Sequence, residues 1–348
     1  MSARQAVAGS ERGGLARGCM ALCLFLAAGL AQAQAPVPQD APQAGEDAVA
    51  LLDRIQRAAS RLDYSGIFTR QYGNELYASR IVHILDGTGE RERVESLDGE
   101  RREFLRHNDE VQCLMPEQQT VYMEKHRQDR FPGLLREDSH DIGSHYTVVS
   151  TGEQERVAGH ACNWVALRPA DDLRYGYRLC VDTDNDLLLK RQTFDTDGQL
   201  VEQVAFNMLQ LGDQVQTDWL KSDWAPRDWK VVEPVVSPVD LAGQGWRIPV
   251  PPGFRPVLEV ERMMGPERPV SQWVLSDGLS ALSVFIELYK DQDAERHPKG
   301  TLQFGAVHVY GARLADFWLT AVGEVPARTL QRLVQDSEYV PRQDAAPR

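Results

Sequence analysis

Apolar and polar positions alternate along most of the chain. In LDGERREFLRHNDEVQCLMPEQQTVYM (97–123), Val111, Cys113 and Met115 fall on one side of an extended backbone, and Val121 and Met123 do so after a break at Pro116-Glu117-Gln118. A period of two marks a strand. The pattern recurs in YSGIFTRQY and LYASRIVHIL, joined by a turn at Gly73-Asn74, and in YTVVSTGEQERVAGHACNWVALRP, RYGYRLCVD, LLLKRQTFD and LVEQVAFNML. Asp182–Asn185 and Asp195–Gly198 read as turns between such segments. About ten short strands in consecutive hairpins predict an antiparallel meander from Tyr64 to Leu211. A large twisted sheet curls, and its hollow face needs a helix to cover it. One is supplied upstream: Leu51, Leu52, Ile55, Ala58, Ala59 and Leu62 recur at helical spacing within 46–62, with Asp53, Arg54, Arg57 and Arg61 between them.

The alternation lapses in TDWLKSDWAPRDWKVVEPVVSP, so residues 215–238 read as a connector between domains. Trp219, Trp224 and Trp229 recur there every five residues, and either pack against a domain or present an aromatic patch to a partner. From Val239 the strand pattern resumes. WRIPVPPGFRPVLEVE is followed by a hairpin around Ser276-Asp277-Gly278, and TLQFGAVHVYGARLADFWLTAVGEV gives two more strands turning near Gly311-Ala312. Pro326 opens a helix running to roughly Glu338, with Leu330, Leu333 and Val334 on one side. The expected class is α+β with mostly antiparallel β: a larger N-terminal unit (46–214), the connector, a smaller α+β unit (239–341) and a tail (342–348).

Charge and the N-terminus narrow the setting. Among 348 residues, 51 acidic side chains outweigh 38 basic ones, for a net charge of −13. Phosphate binding wants clustered Lys and Arg, so nucleic acid is not an expected partner. Arg4, Arg12 and Arg17 precede the apolar run CMALCLFLAAGL (19–30) and the small-x-small sequence AQA (31–33). This is the layout of a secretory signal cut after Ala33, too short to span a bilayer. Cys19 and Cys23 leave with it, and the Pro- and Ala-rich stretch 34–45 reads as a disordered leader. Three cysteines remain. In an oxidising compartment, a hairpin turning near Pro169–Asp172 places Cys162 opposite Cys180 as a candidate disulfide, the alternative being buried thiols.

No catalytic set emerges. The eight histidines lack metal-ligand spacing, no nucleophile-elbow, zinc-protease or phosphate-loop sequence occurs, and DTDND (182–186) lacks the glycine and distal glutamate of a calcium loop. A binding protein is expected, with no cofactor and no metal. The stretch EKHRQDRFPGLLRE (124–137) sets basic residues beside Phe131, Leu134 and Leu135, which suits contact with an anionic amphiphile or acidic peptide as well as a plain solvated loop.

Several segments resemble one family. SLDGERREFLRHNDEVQCLMP and RYGYRLCVDTDNDLLLKRQTFDTDG are similar to the N-terminal part of the MucB/RseB family of periplasmic regulators of the extracytoplasmic-stress sigma factor (sigma-E/AlgU). PPGF (251–254), WVLSDGLSALSVFIE (273–287) and GAVHVYGARLADFWLTAVGEVPARTLQRL resemble its C-terminal domain. The resemblance implies an unclosed, LolA/LppX-like β-barrel with helices, whose hollow suits a lipid or lipopolysaccharide. It further implies a periplasmic, non-enzymatic protein that binds the periplasmic domain of a single-span anti-sigma factor (RseA or MucA), shields it from proteolysis and is released by lipid. Self-association stays open. The alternative is a lipid or lipoprotein carrier, resting on the N-terminal unit alone. The cysteine pair is no dependable mark of the family, and contact residues for the partner do not carry over.

Overall fold

The computed structural model describes residues 45–125, 131–133, 142–224, 226–264, 268–290, 297 and 300–341, all within one compact unit. The expected signal segment, the leader up to residue 44, Leu134, Leu135 and the tail 342–348 lie outside the described residues. Helix α1 (Gly45–Arg61) buries Leu52, Ile55, Ala58 and Ala59 along one stripe. Six strands follow in successive hairpins: β1 (Tyr64–Tyr72), β2 (Glu75–Asp86), β3 (Gly89–Ser96), β4 (Glu103–His107), β5 (Glu110–Met115) and β6 (Thr120–Lys125). After the short α2 (Ile142–His145) come β7 (Tyr146–Val157), β8 (His160–Pro169), β9 (Gly176–Asp182), β10 (Leu188–Phe194) and β11 (Leu200–Leu211).

With β12 (Lys230–Val232), these strands form one 12-stranded sheet ordered β12-β6-β5-β4-β3-β2-β1-β11-β10-β9-β8-β7. The two meanders join where β1 pairs with β11. A Cβ on Gly66 would sit 2.4 Å from the Met208 carbonyl oxygen, so that pairing needs glycine. The end strands β12 and β7 do not pair with each other among the described residues, so the sheet is unclosed. It nevertheless curls, since β7 comes back near β11 across the three strands between them.

Register fixes which side chains share a face. The row Gly66–Ile81–Val94–Phe104–Cys113 runs across β1 to β5 on the hollow side, where Ile81 and Val94 join α1 in the core. The opposite row is Arg80–Glu95–Glu103–Leu114–Val121. Leu114 and Val121 are buried too. The ribbon that shows one apolar side in sequence is therefore covered on both faces. The cover is the stretch read as a connector. Its Gln216 amide donates to Ser65 Oγ at 2.9 Å, Trp219 lies under the Arg80 guanidinium at 4.9 Å, and its carbonyl accepts from Arg93 at 2.7 Å. Ser222 bonds Glu103, which also holds Arg93. Arg93 and Glu103 are only 3% and 1% exposed, so a full ion pair is sealed under the segment. The segment then adds β12 to the sheet by a parallel pairing with β6.

The second sheet is ordered β13-β15-β16-β17-β20-β19-β18. Its strands are β13 (Val236–Pro238), β15 (Arg255–Met263), β16 (Pro269–Ser276), β17 (Ala281–Leu288), β18 (Gly300–Phe304), β19 (Val307–Leu314) and β20 (Phe317–Gly323). The ribbon β14 (Trp246–Arg247) with β21 (Glu338–Tyr339) stands beside it. Helix α3 (Ala327–Gln335) buries Leu330, Leu333 and Val334 on one face of this sheet. The expected turn at Gly311-Ala312 is corrected: both residues lie inside β19, paired to β20. The turns fall at Gly305-Ala306 and at Ala315-Asp316, where Ala315 takes a positive φ of 52°, so the segment holds three strands instead of two.

Cys162 and Cys180 are joined by a disulfide with Cα atoms 5.3 Å apart. They are not directly opposite, as the hairpin symmetry suggested. Cys162 faces Asp182 and Trp164 faces Cys180, so the bond runs diagonally across β8 and β9. The pair spans 18 residues, and in the chain-entropy picture such a loop stabilises by roughly 3 kcal/mol. Reduction is expected to lower the unfolding free energy by that order, and mass spectrometry of unreduced peptides is expected to show 162 linked to 180. Glu103→Ala takes from Arg93 its one buried carboxylate, leaving the more exposed Glu95 and Asp223 and the Trp219 carbonyl; it is expected to cost roughly 3 kcal/mol in urea unfolding, whereas the double replacement R93M/E103L should lose less.

Candidate functional site

Three phenylalanines fill the hollow of the first sheet. Phe68 comes from β1, Phe206 from β11 and Phe131 from the segment after β6. Phe131 sits 5.3 Å from Phe68 and 5.0 Å from Phe206 between ring centroids. It is buried. The sequence offered Phe131, in a basic and apolar loop, as a candidate contact for an amphiphile or a peptide; the structure sets its ring in the hollow against the aromatic pair on β1 and β11. Ile142, Tyr146, Val148, Leu167 and Leu179 extend the same lining. A small cavity remains between Leu167, Tyr177, Leu179, Arg191 and Leu279. Leu279 belongs to the β16–β17 turn of the second sheet, so the hollow is closed from outside its own sheet.

That turn docks through a buried polar joint. Arg174, just before β9, has no exposed surface. Its Nη1 donates to Asp277 Oδ2 at 3.1 Å, its Nε to Asp171 Oδ1 at 3.0 Å, and its Nη2 to the Pro252 carbonyl. Phe254 and Tyr146 present ring faces at 5.2 and 5.7 Å. Asp277 also accepts from the Tyr146 hydroxyl at 3.1 Å. Its other oxygen takes the amides of Leu279 and Ser280, which shapes the turn for docking. Burial, and then the Asp277 carboxylate, push the Tyr146 hydroxyl well above its ordinary range, so it remains a donor. Tyr177 meets Ser280 at 2.8 Å, and Tyr175 meets Nδ1 of His308 at 2.9 Å. Burial raises both tyrosines and lowers His308, whose Nδ1 also meets the Val325 carbonyl at 2.9 Å. Thr329 and Arg328 of α3 add contacts to the Leu173 carbonyl and to Asp172. These are the segments RYGYR and WVLSDGLS that carry the family resemblance, and in the fold they meet. Sequence reasoning placed neither Arg174 nor Asp277 in a site; the available signal was the single acid of WVLSDGLS, whereas RYGYR carries an arginine at each end.

The tryptophans of the connector are half-buried. Trp219 packs on Arg80, while Trp224 touches Trp229 at 6.2 Å and lies 5.8 Å from Arg101. The structure thus places these candidate contact residues against the first sheet. Among the described residues, no three His, Cys, Asp or Glu side chains assemble as a metal site, and no helix is long and apolar enough to cross a membrane.

Comparison with known proteins agrees with this two-part architecture. A sequence model of the MucB/RseB N-terminal domain matches residues 47–224, and one of the MucB/RseB C-terminal domain matches 240–338. The chain is 25% identical to the sigma-E factor regulatory protein RseB of Haemophilus influenzae over 291 residues, covering 83% of this chain and 90% of that protein. It is 29% identical over 299 residues to the sigma factor AlgU regulatory protein MucB of Pseudomonas aeruginosa, covering 82% and 89%. A crystal structure of MucB in complex with MucA(peri) superposes with a TM-score of 0.65 at 27% identity, covering 85% of this chain and all of that one. The MucA/MucB complex of Pseudomonas aeruginosa gives 0.64 at 28% identity, covering 86% and 100%. With both halves matched in order, the chain belongs to the MucB/RseB family.

Proposed function

We propose that this protein works in the periplasm as a non-enzymatic regulator. It binds the periplasmic part of a single-span anti-sigma factor, shields it from proteolysis and so restrains the envelope-stress sigma factor. A lipid or lipopolysaccharide releases it. The observation that carries the reading is the match of both domains, in order, to a family whose solved member MucB is complexed with MucA(peri). A carrier would need only the hollow sheet; here the second domain seals that hollow with Leu279 and the Arg174–Asp277 joint. The seal supplies a physical link between lipid and partner. An acyl chain in the hollow needs the space held by Phe131 and Leu279, so lipid and domain docking compete. A ligand shifts such an equilibrium by its difference in affinity for the two arrangements.

The direct test is calorimetric titration of the full chain with the recombinant periplasmic segment of the anti-sigma factor. Saturable binding is expected. Lipid binding with no affinity for that segment would favour the carrier. Phe131→Ala is expected to open the hollow and tighten acyl-chain binding, with affinity rising by about 0.8 kcal/mol per buried methylene; equal competition by lipid A and by delipidated core sugar would rule the hollow out. Arg174→Met strands Asp277 in the joint and is expected to cost roughly 3–5 kcal/mol. Solution scattering should then show a more extended particle, and less lipid should be needed to release the partner.

A further inference from the structure

A sheet edge offers a row of unpaired backbone groups, and proteins guard such edges with prolines, charges, bulges or short strands. Among the described residues, the two large sheets end in four edge strands. Three are guarded. β12 and β13 are each three residues long, and β13 ends in Pro238. β7 carries Glu153, Glu155 and Arg156 and an irregular register between Ser150 and Gln154. The fourth, β18, is bare. Its five residues, Gly-Thr-Leu-Gln-Phe, are all exposed and include no charge and no proline.

The two faces of β18 differ. Thr301 and Gln303 lie on the α3 side, where Gln331 donates to Thr301 Oγ1 and Gln303 to the Gly305 carbonyl. Leu302 and Phe304 lie on the other side, paired with Val309 and Val307, and they are 44% and 60% exposed. The end of the strand comes up to the first sheet. A Cβ on Gly305 would lie 3.0 Å from the buried Glu202 carboxylate and 3.2 Å from the Tyr72 ring at the tip of β1. Tyr72 stacks on Tyr77 at 5.7 Å, and Tyr77 is 37% exposed. The free edge of the second sheet thus ends against an aromatic pair on the first hairpin of the first sheet.

We infer that β18 is a strand-addition site for an extended segment of the anti-sigma partner, which pairs with its free edge and continues toward the Tyr72–Tyr77 pair. The partner segment carries apolar residues at alternate positions, facing Leu302 and Phe304, and polar ones facing α3. A second copy of this chain is a poorer occupant. Each copy carries a net charge of −13, which opposes self-association, and a twofold β18–β18 pairing would leave the Tyr72–Tyr77 corner uncovered. The inference rests on the regulator reading and gives it a surface: one extended chain touching both domains senses their arrangement.

Hydrogen exchange on the full chain, with and without the recombinant periplasmic segment of the anti-sigma factor, tests it together with Leu302→Glu, Phe304→Glu and Tyr77→Ala. Binding is expected to slow exchange of alternate amides in 300–304, and the variants, with melting temperatures near that of the parent, are expected to bind about tenfold more weakly or worse. Should the parent bind while those amides and all three variants are unchanged, the edge is not the site and the regulator reading stands. Concentration-dependent protection of 300–304 in the protein alone would assign the edge to a second copy and overturn the inference. No binding by the parent would sink the regulator reading, and the inference with it.

Discussion

The buried Arg174–Asp277 pair constrains everything around it. A guanidinium and a carboxylate taken out of water are tolerable only when each meets a full set of partners. Here local partners, Asp171 for Arg174 and the β16–β17 turn amides for Asp277, hold each charge in place. Tyr146 and the Pro252 carbonyl then complete the set from distant stretches. If the second sheet lifts away, Arg174, Asp277, three tyrosine hydroxyls and His308 lose their cross-sheet partners together. Contacts that fail together make a two-state device, whereas a purely apolar interface could slide.

The first sheet is stiffened on its outer face by similar means. The segment after β11 is tied down by the Ser65, Arg93 and Glu103 contacts and finishes as β12. Only Glu233, Pro234 and Val235 separate β12 from β13, the first strand of the other sheet. Rotation between the sheets must concentrate in those three residues and in the joint. The tryptophans add stiffness on the first-sheet side, as a stack on Arg80 and a mutual contact.

Local patterns were readable in the sequence. Helix α1, the Gly73-Asn74 turn, the Asp-rich turns and the Pro326 start of α3 all follow from spacing and turn chemistry, because their stabilising contacts lie within a few residues. Pairings over long separations were not readable. Arg174 and Asp277 are 103 residues apart, and Arg93 meets the Trp219 carbonyl across 126. A period of two says that Leu114 and Val111 point opposite ways; it cannot say that a later segment folds back to bury both. Gly311 looked like a turn because glycine is common in turns, yet the two real turns flank it, at Gly305-Ala306 and Ala315-Asp316. The surroundings of Phe131 were hidden for a related reason: its basic neighbours in sequence say nothing of the two rings that receive it.

The filled hollow and the polar joint share walls. Tyr146 and Tyr177 line the apolar core and also bond the second domain. Leu279, whose amide donates to Asp277 together with that of Ser280, touches the interior cavity. A ligand in the hollow therefore presses on the groups that hold the domains together, and the size of ligand needed can be bounded. Moving a two-state equilibrium from about 1:99 to about 99:1 takes roughly 5.5 kcal/mol of differential affinity. At about 0.8 kcal/mol per buried methylene, that is the work of about seven methylenes. On the proposed reading, a releasing ligand therefore has to bring an apolar chain of about that length into the hollow, which a sugar or a short acid lacks.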